Sequence, residues 1–375
     1  MAGRPRAPLA SSRLASIDVF RGATIAAMVL VNAQFSHAES YHQLAHAAWH
    51  GWTFADTIFP CFLFIVGVSL TLSTAWRQTR GDDQTSLIAH AARRSVLIFG
   101  CGVIIDYLQV PVREFPFVGL QPHVQLTGAL QKIAVCYLVA FHIFLWTGMR
   151  GVMVAIVGLN FLYLSLLYVY PVPGCGPGSL VASCNFPAYL DEVVLNGFRS
   201  NNMAFDPDGV GAILPAITSV LFGVLAGHLM LNERRPMHQL LWLSGGGLVL
   251  IVAGQVLSIW VPINKQLWTT SFAVLTAGLA ATSLACCILL LERQSLRRLF
   301  RPLEILGMNA IAAYLISRLV GNLPKVHIME RSLYADVLAR VASPPNASFL
   351  FAMVVLAGVY LAVWLVHRRG WELKL

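Results

Sequence analysis

Between residues 46 and 67 the chain reads HAAWHGWTFADTIFPCFLFIVG, which sets His46 and Asp56 at the head of a continuous apolar run. An imidazole changes protonation near neutral pH without a large shift, so His46 suits a general base acting on an amine or hydroxyl. A carboxylate ten positions on can orient that ring and hold its cation, the part a third group plays in nucleophilic triads. Asn32, upstream, can donate a hydrogen bond to a developing oxyanion. Each has a bland reading that stands beside the chemical one. His46 is equally compatible with a solvated loop histidine, Asp56 with an N-terminal helix cap, and Asn32 with an ordinary helix-end hydrogen bonder. Trp49 and Trp52 read as interfacial anchors or as platforms for a substrate.

A competing arrangement uses the same histidines. His42, His46 and His50 recur every four residues, so a helix there would align three imidazoles, with His37 nearby, and could bind a metal or ligate haem. No Cys or Glu completes a recognised ligand pattern, so the expectation is no metal.

The elements that must position these groups follow from composition. The 375 residues are 57% hydrophobic and 11% charged, with a mean hydropathy of +0.69. An ordinary soluble domain carries about a quarter charged residues. Ten stretches approach the roughly 20 apolar residues a membrane crossing needs: 17–35, 54–76, 86–107, 126–146, 151–170, 210–230, 238–260, 268–291, 303–320 and 348–367. They are continuous rather than alternating, which excludes a β-barrel. The fold class is therefore all-α, a polytopic membrane bundle of about ten helices over 17–367. The basic stretch 1–16 lacks a small-residue cleavage site behind its apolar segment and reads as a cytoplasmic tail, as does 368–375.

Lys and Arg gather on the side that holds this tail: Arg77, Arg80, Arg93, Arg94, Arg150, Arg234, Arg235, Arg293, Arg297, Arg298, Arg301, Arg368 and Arg369. That asymmetry places both termini in the cytoplasm and assigns the net charge of +9 to topology and anionic lipid, not to nucleic acid. The long connection 171–209 then lies outside, where Cys175 and Cys184 meet an oxidising compartment and are expected to form a disulfide. The remaining cysteines read as small packing residues.

A charge within a span costs at least about 2.5 kcal/mol at the bilayer centre unless paired or hydrated, so the few present are candidate functional groups. With this topology Asn32, His46, Asp56, Asp106, Lys132, Asp206, Asp208 and Arg318 all fall toward the outer side, and Asp18 and Arg21 toward the inner. Asp206 and Asp208, in FDPDG, either greet a cationic substrate or build a turn. Asn309 and Tyr314 either line a channel or bond between helices.

Several blocks carry a resemblance. IDVFRGATIAAMVLVN at 17–32, HAAWHGWTFADTIFPCFLFIVGVSL at 46–70, TGALQKIAVCY at 127–137, FDPDGVGAILPAITSVLFGVLAG at 205–227, INKQLWTTSFAVLTAG at 263–278 and PLEILGMNAIAAYLIS at 302–317 resemble the transmembrane acyltransferase family of heparan-α-glucosaminide N-acetyltransferase and its bacterial relatives. The resemblance implies a membrane enzyme moving the acetyl group of cytoplasmic acetyl-CoA to an amino sugar or glycan on the periplasmic side of a bacterial inner membrane. It maps the catalytic histidine onto His46, the block asparagine onto Asn32 and the block aspartate onto Asp56. Two departures matter. Lys132 stands where the family usually has Arg, keeping the charge but losing the planar fork. The second is an expected lack of the animal enzyme's N-terminal luminal domain and additional span, an expectation that weakens heparan sulfate as the acceptor.

On this reading the CoA phosphates meet Arg21, Arg93 and Arg94, whose bland alternative is positive-inside anchoring. Lys132, Asp206, Asp208, Trp49 and Asn309 are the substrate-side candidates. His46 acts either as base in a direct transfer or as a transient acetyl carrier. Expected partners are acetyl-CoA, the acceptor, membrane lipid and a second copy in a homodimer. The alternative of a different class is a secondary transporter, whose midplane site would use the same sparse charges.

Overall fold

The computed structural model describes residues 11–35, 39–108, 126–195, 205–233, 235–320 and 333–370. The helices are α1 (Ser11–Asn32), α2 (Phe54–Thr79), α3 (Gln84–Leu108), α4 (Ala129–Val169), α5 (Phe186–Leu195), α6 (Ile213–Asn232), α7 (Pro236–Leu257), α8 (Thr270–Glu292), α9 (Gln294–Leu299), α10 (Arg301–Met308), α11 (Ala310–Val320) and α12 (Pro344–Arg368). Among the described residues eight helices are long and apolar enough to cross a membrane. This is a multi-pass membrane protein.

Eight differs from ten at two places. The stretches 126–146 and 151–170 both fall within α4, a single 41-residue run interrupted at Gly148 by φ 62 and ψ −164. Lys132 Nζ lies 4.7 Å from the Trp268 ring, while the Tyr163 hydroxyl donates to the carbonyl of neighbouring Leu267. In a straight helix those 31 positions would separate the two side chains' anchor points by about 46 Å. The chain therefore folds back at Gly148, a conformation a glycine adopts without steric cost. The stretch 303–320 is instead broken at Asn309 (φ −110, ψ 35), leaving α10 and α11, neither long enough alone.

The bundle closes through small residues, as expected where lipid supplies no hydrophobic drive between helices. A Cβ on Gly67 of α2 would stand 1.9 Å from the Val220 carbonyl oxygen of α6, and one on Gly22 of α1 would stand 1.8 Å from the Leu303 carbonyl oxygen of α10. Leu63, Leu70, Tyr137, Phe141, Leu221, Trp268 and Phe272 form the main core between α2, α4, α6 and α8. Outward apolar residues such as Val249, Val252 and Leu361 are exposed, as lipid-facing positions are.

The connection 171–209 contains α5, whose first turn is capped by the Asn185 side chain accepting the Ala188 N–H at 2.8 Å. Cys175 and Cys184 are joined by a disulfide with Cα atoms 5.7 Å apart. The tails 1–10 and 371–375 lie outside the described residues.

Candidate active site

The start of α2 builds the site. Thr53 takes the extended N-cap conformation, and Asp56, three residues on, accepts the Thr53 N–H at 3.0 Å and its hydroxyl at 3.1 Å through Oδ2. The same oxygen accepts the Ala47 N–H at 3.1 Å, and the Thr53 hydroxyl also donates to the Ala45 carbonyl at 2.7 Å. Asp56 thus serves as a helix cap and ties the incoming loop to the helix. Its second oxygen, Oδ1, lies 2.8 Å from Nδ1 of His46. A carboxylate already taking three other donors is acceptor-only, so Nδ1 carries the proton and Nε2 the lone pair. The histidine ring is 38% exposed and the aspartate 1%, which separates a reactive group from its buried support.

Lys265 completes the arrangement. Its Nζ stands 3.4 Å from Asp56 Oδ1 and 3.1 Å from His46 Nδ1. It arrives on the turn between α7 and α8, which is clipped to the histidine loop where Gly51 N–H donates to the Ile263 carbonyl at 2.8 Å. Gly51 adopts φ 98 there, a left-handed value that favours glycine. Burial pushes the Lys265 ammonium below the ordinary lysine range, while Asp56 and Asp208 pull it back up.

Trp268 is the next residue but two. It has φ 53, the one left-handed non-glycine among the described residues, and is nonetheless buried. Its indole N–H donates to Ser219 Oγ at 3.2 Å, and Phe59 and Phe272 meet its ring edge-on. Such backbone strain persists only where the surroundings over-determine it. Here the tryptophan also carries the Lys132 ammonium over its face.

These groups surround a cavity of about 420 Å³. Asn32, His46, Trp49, Asp56, Asp106, Asp206, Asp208, Lys265 and Arg318 line its polar side, and Met28, Val31, Ile58, Phe59 and Phe62 its apolar side. Trp49 lines it while donating its N–H to the Leu180 carbonyl at 2.8 Å and meeting Phe205 edge-on, so it also pins the disulfide loop over the cavity. Asp206 is buried, accepts the Thr127 hydroxyl at 2.6 Å and caps the Asp208 N–H at 2.9 Å. The turn and the polar wall are one structure. Lys132 is buried just behind it, 3.3 Å from the Pro207 carbonyl and 4.0 Å from Asp208.

Other candidates lie elsewhere. Asn309 is buried at the break between α10 and α11, donating to Ile305, and does not line the cavity. Arg21 is held by Asp18 at 2.8 Å, Ser69 at 2.7 Å and the Gly307 carbonyl at 3.3 Å. Arg94 lies over the Tyr137 ring at 5.2 Å, and Arg93 neighbours it on α3. The three-imidazole helix does not form. The chain makes one short 3₁₀ turn at His42–Leu44, is extended at Ala45, and places His50 beside Asn264 at 3.4 Å. Among the described residues no group of three His, Cys, Asp or Glu is positioned to hold a metal, and His37 lies outside them.

Residues 13–262 match the family model described as heparan-alpha-glucosaminide N-acetyltransferase, catalytic. The chain belongs to this family. It is 27% identical to the heparan-alpha-glucosaminide N-acetyltransferase of Mus musculus over 373 residues, covering 83% of this chain and 54% of that protein. It is 27% identical to the Homo sapiens protein of that name over 356 residues, covering 80% and 52%. The chain thus spans about half the length of the curated relatives it matches. The family match ends at residue 262, just before Lys265 and Trp268. Both residues stand in the block INKQLWTTSFAVLTAG, but the sequence alone assigned neither a role. The signal for both was the polar run INKQ set against WTTSF at the head of an apolar stretch.

Proposed function

We propose that this chain transfers the acetyl group of acetyl-CoA to the amino group of an amino sugar or glycan on the outer side of a bacterial inner membrane. The observation that carries this reading is the His46–Asp56–Lys265 constellation on a carboxylate-rich cavity, in a member of an N-acetyltransferase family. An ammonium acceptor is drawn by Asp106, Asp206 and Asp208. The ammonium first gives one proton to solvent, and the amine lone pair attacks the thioester carbonyl, with Asn32 or Lys265 hydrogen-bonding the resulting oxyanion. His46 Nε2 takes the proton that the attacking nitrogen must then lose, and Asp56 stabilises the imidazolium through Nδ1–H. The oxyanion collapses, the C–S bond breaks, and the CoA thiolate takes the proton held by His46. The products are the amide, the CoA thiol and one proton released to solvent, and no covalent enzyme intermediate is needed.

The apolar wall of α1 and α2 suits the pantetheine arm, entering from the opposite end. Arg21 and Arg94 are the groups there that would meet the CoA phosphates. Ten crossings with both termini cytoplasmic complete the proposed topology.

The test is transfer from labelled acetyl-CoA to a panel of amino sugars by the purified protein. His46→Ala should lose about 10²–10⁴-fold in rate while retaining CoA binding. Unchanged label transfer by the variant removes His46 from this role. The discontinuous α10–α11 segment is the feature a transporter would use. That reading requires sugar flux in proteoliposomes without consumption of acetyl-CoA.

A further inference from the structure

A second cavity of about 510 Å³, lined by Arg298, Arg301, Pro302, Ile305, Tyr360, Trp364, His367 and Arg368, lies far from His46. α12 begins beside the Asn32 end of α1, where Ser348 Oγ accepts the Phe35 N–H at 3.1 Å. Trp364 stands 16 positions further along, about 24 Å down the helix. The cavity therefore sits at the other end of the bundle.

Its chemistry is one-signed. Arg298, Arg301 and Arg368 line it with no carboxylate, and among the described residues none of the three makes an ion pair. Glu304, on the same helix as Arg301, does not line it. Elsewhere in the molecule arginines do find carboxylates, as Arg77 does with Asp82 at 3.0 Å and Arg21 with Asp18. The Arg368 guanidinium lies over the Trp364 ring at 4.8 Å, fixing its position. His367 Nδ1 is shielded from solvent without a hydrogen-bond partner, a polar atom that a bound oxygen would satisfy. Guanidinium groups match the oxygens of a phosphate in geometry and charge, and basic pockets between membrane helices take phosphorylated headgroups.

We propose that this cavity binds a phosphate ester, held by Arg298, Arg301 and Arg368 against the Trp364 and Tyr360 wall. Two sources share that chemistry: the headgroup of an anionic phospholipid and the phosphates of an adenine nucleotide. Neither source depends on acetyl transfer, since the phosphates of acetyl-CoA are assigned to Arg21 and Arg94.

The experiment compares the full chain with an Arg298→Gln, Arg301→Gln, Arg368→Gln variant and with an Arg297→Gln, Arg369→Gln control whose residues do not line the cavity. One arm measures retention of phosphatidylglycerol over phosphatidylcholine by native mass spectrometry. The other measures binding of 3′,5′-ADP against adenosine by calorimetry. The proposal expects at least about tenfold weaker binding of the phosphate-bearing probe in one arm, in the triple variant and not in the control. The same loss in the control, or equal binding by wild type and triple variant in both arms, overturns it. His46→Ala, assayed in parallel, should keep the preference of either arm, so failure of the acetyl-transfer reading is distinguishable from failure of this one.

Discussion

Lys265 crosses 219 positions of sequence to place its Nζ 3.1 Å from Nδ1 of His46. With that nitrogen's proton donated to Asp56, the imidazole N–H and the Lys265 ammonium compete as donors for one carboxylate oxygen rather than bonding each other. The lysine therefore neutralises Asp56 whenever the imidazole is uncharged and yields when it becomes imidazolium.

Lys265→Met should accordingly reduce kcat about 10–100-fold by leaving the buried carboxylate with one less counter-charge. A pH signature accompanies it. Because burial lowers the folded ammonium below the unfolded value, the unfolded chain binds more protons between the two, and wild-type stability rises with pH through that window. Thermal melts across the alkaline range should show this rise in wild type and not in Lys265→Met. Equal slopes would sink the assignment.

Asp56→Asn tests the support of the ring. The Oδ2 side accepts three donors, so an amide must present NH₂ either to those or to His46. The expected cost is about 1–3 kcal/mol of stability and about 10²–10⁴-fold in kcat through the wrong imidazole tautomer. Acetyl-CoA affinity measured by calorimetry should be unchanged. A variant with wild-type kcat would show that the aspartate only caps α2.

The all-helical bundle and much of the polar wall were legible because spans are long, continuous signals and because a topology rule from the Lys/Arg asymmetry sorts charges by end. Asn32, His46, Asp56, Asp106, Asp206, Asp208 and Arg318, grouped by that rule, do line one cavity. Radial position was not legible. Asn309 belongs to the same block of sequence as Tyr314, yet Tyr314 lines the cavity and Asn309 caps a helix break. Lys265 and Trp268 escaped because their role depends on a turn clipped to a loop far away in sequence, a tertiary pairing with no periodicity. The fold-back in α4 was seen as two stretches, but its continuity through Gly148 hides it from a count by length.

Asp191 yields a prediction outside the spans. It is buried, with Oδ1 accepting the Gly211 N–H at 2.9 Å and Oδ2 without a hydrogen-bond partner. Burial pushes its carboxyl up to about 6, reinforced by Asp206. A raised carboxyl favours the protonated fold, so its stabilisation is full below about pH 4 and is lost as pH rises through 6. Asp191→Asn mimics the neutral form and should raise stability by about 1–2 kcal/mol at pH 8 with little change at pH 4. Melts at both values decide it, since an equal shift at each pH would place the effect in packing.

The disulfide tests how the loop it closes serves the cavity. Closing so short a loop stabilises by about 2–3 kcal/mol on the chain-entropy account, which a Cys175→Ser, Cys184→Ser variant should lose. The loss should not be evenly felt. Leu180, inside the closed loop, supplies the carbonyl that accepts the Trp49 N–H, and Trp49 lines the cavity beside His46. His46, Asp56 and Lys265 hang instead on the α2 cap and the Gly51–Ile263 clip. The variant should therefore raise KM for the acceptor several-fold while kcat and the KM for acetyl-CoA stay near wild type. Steady-state kinetics varying each substrate in turn would read this, and a fall in kcat with acceptor KM unchanged would mean that the loop supports the reacting groups themselves.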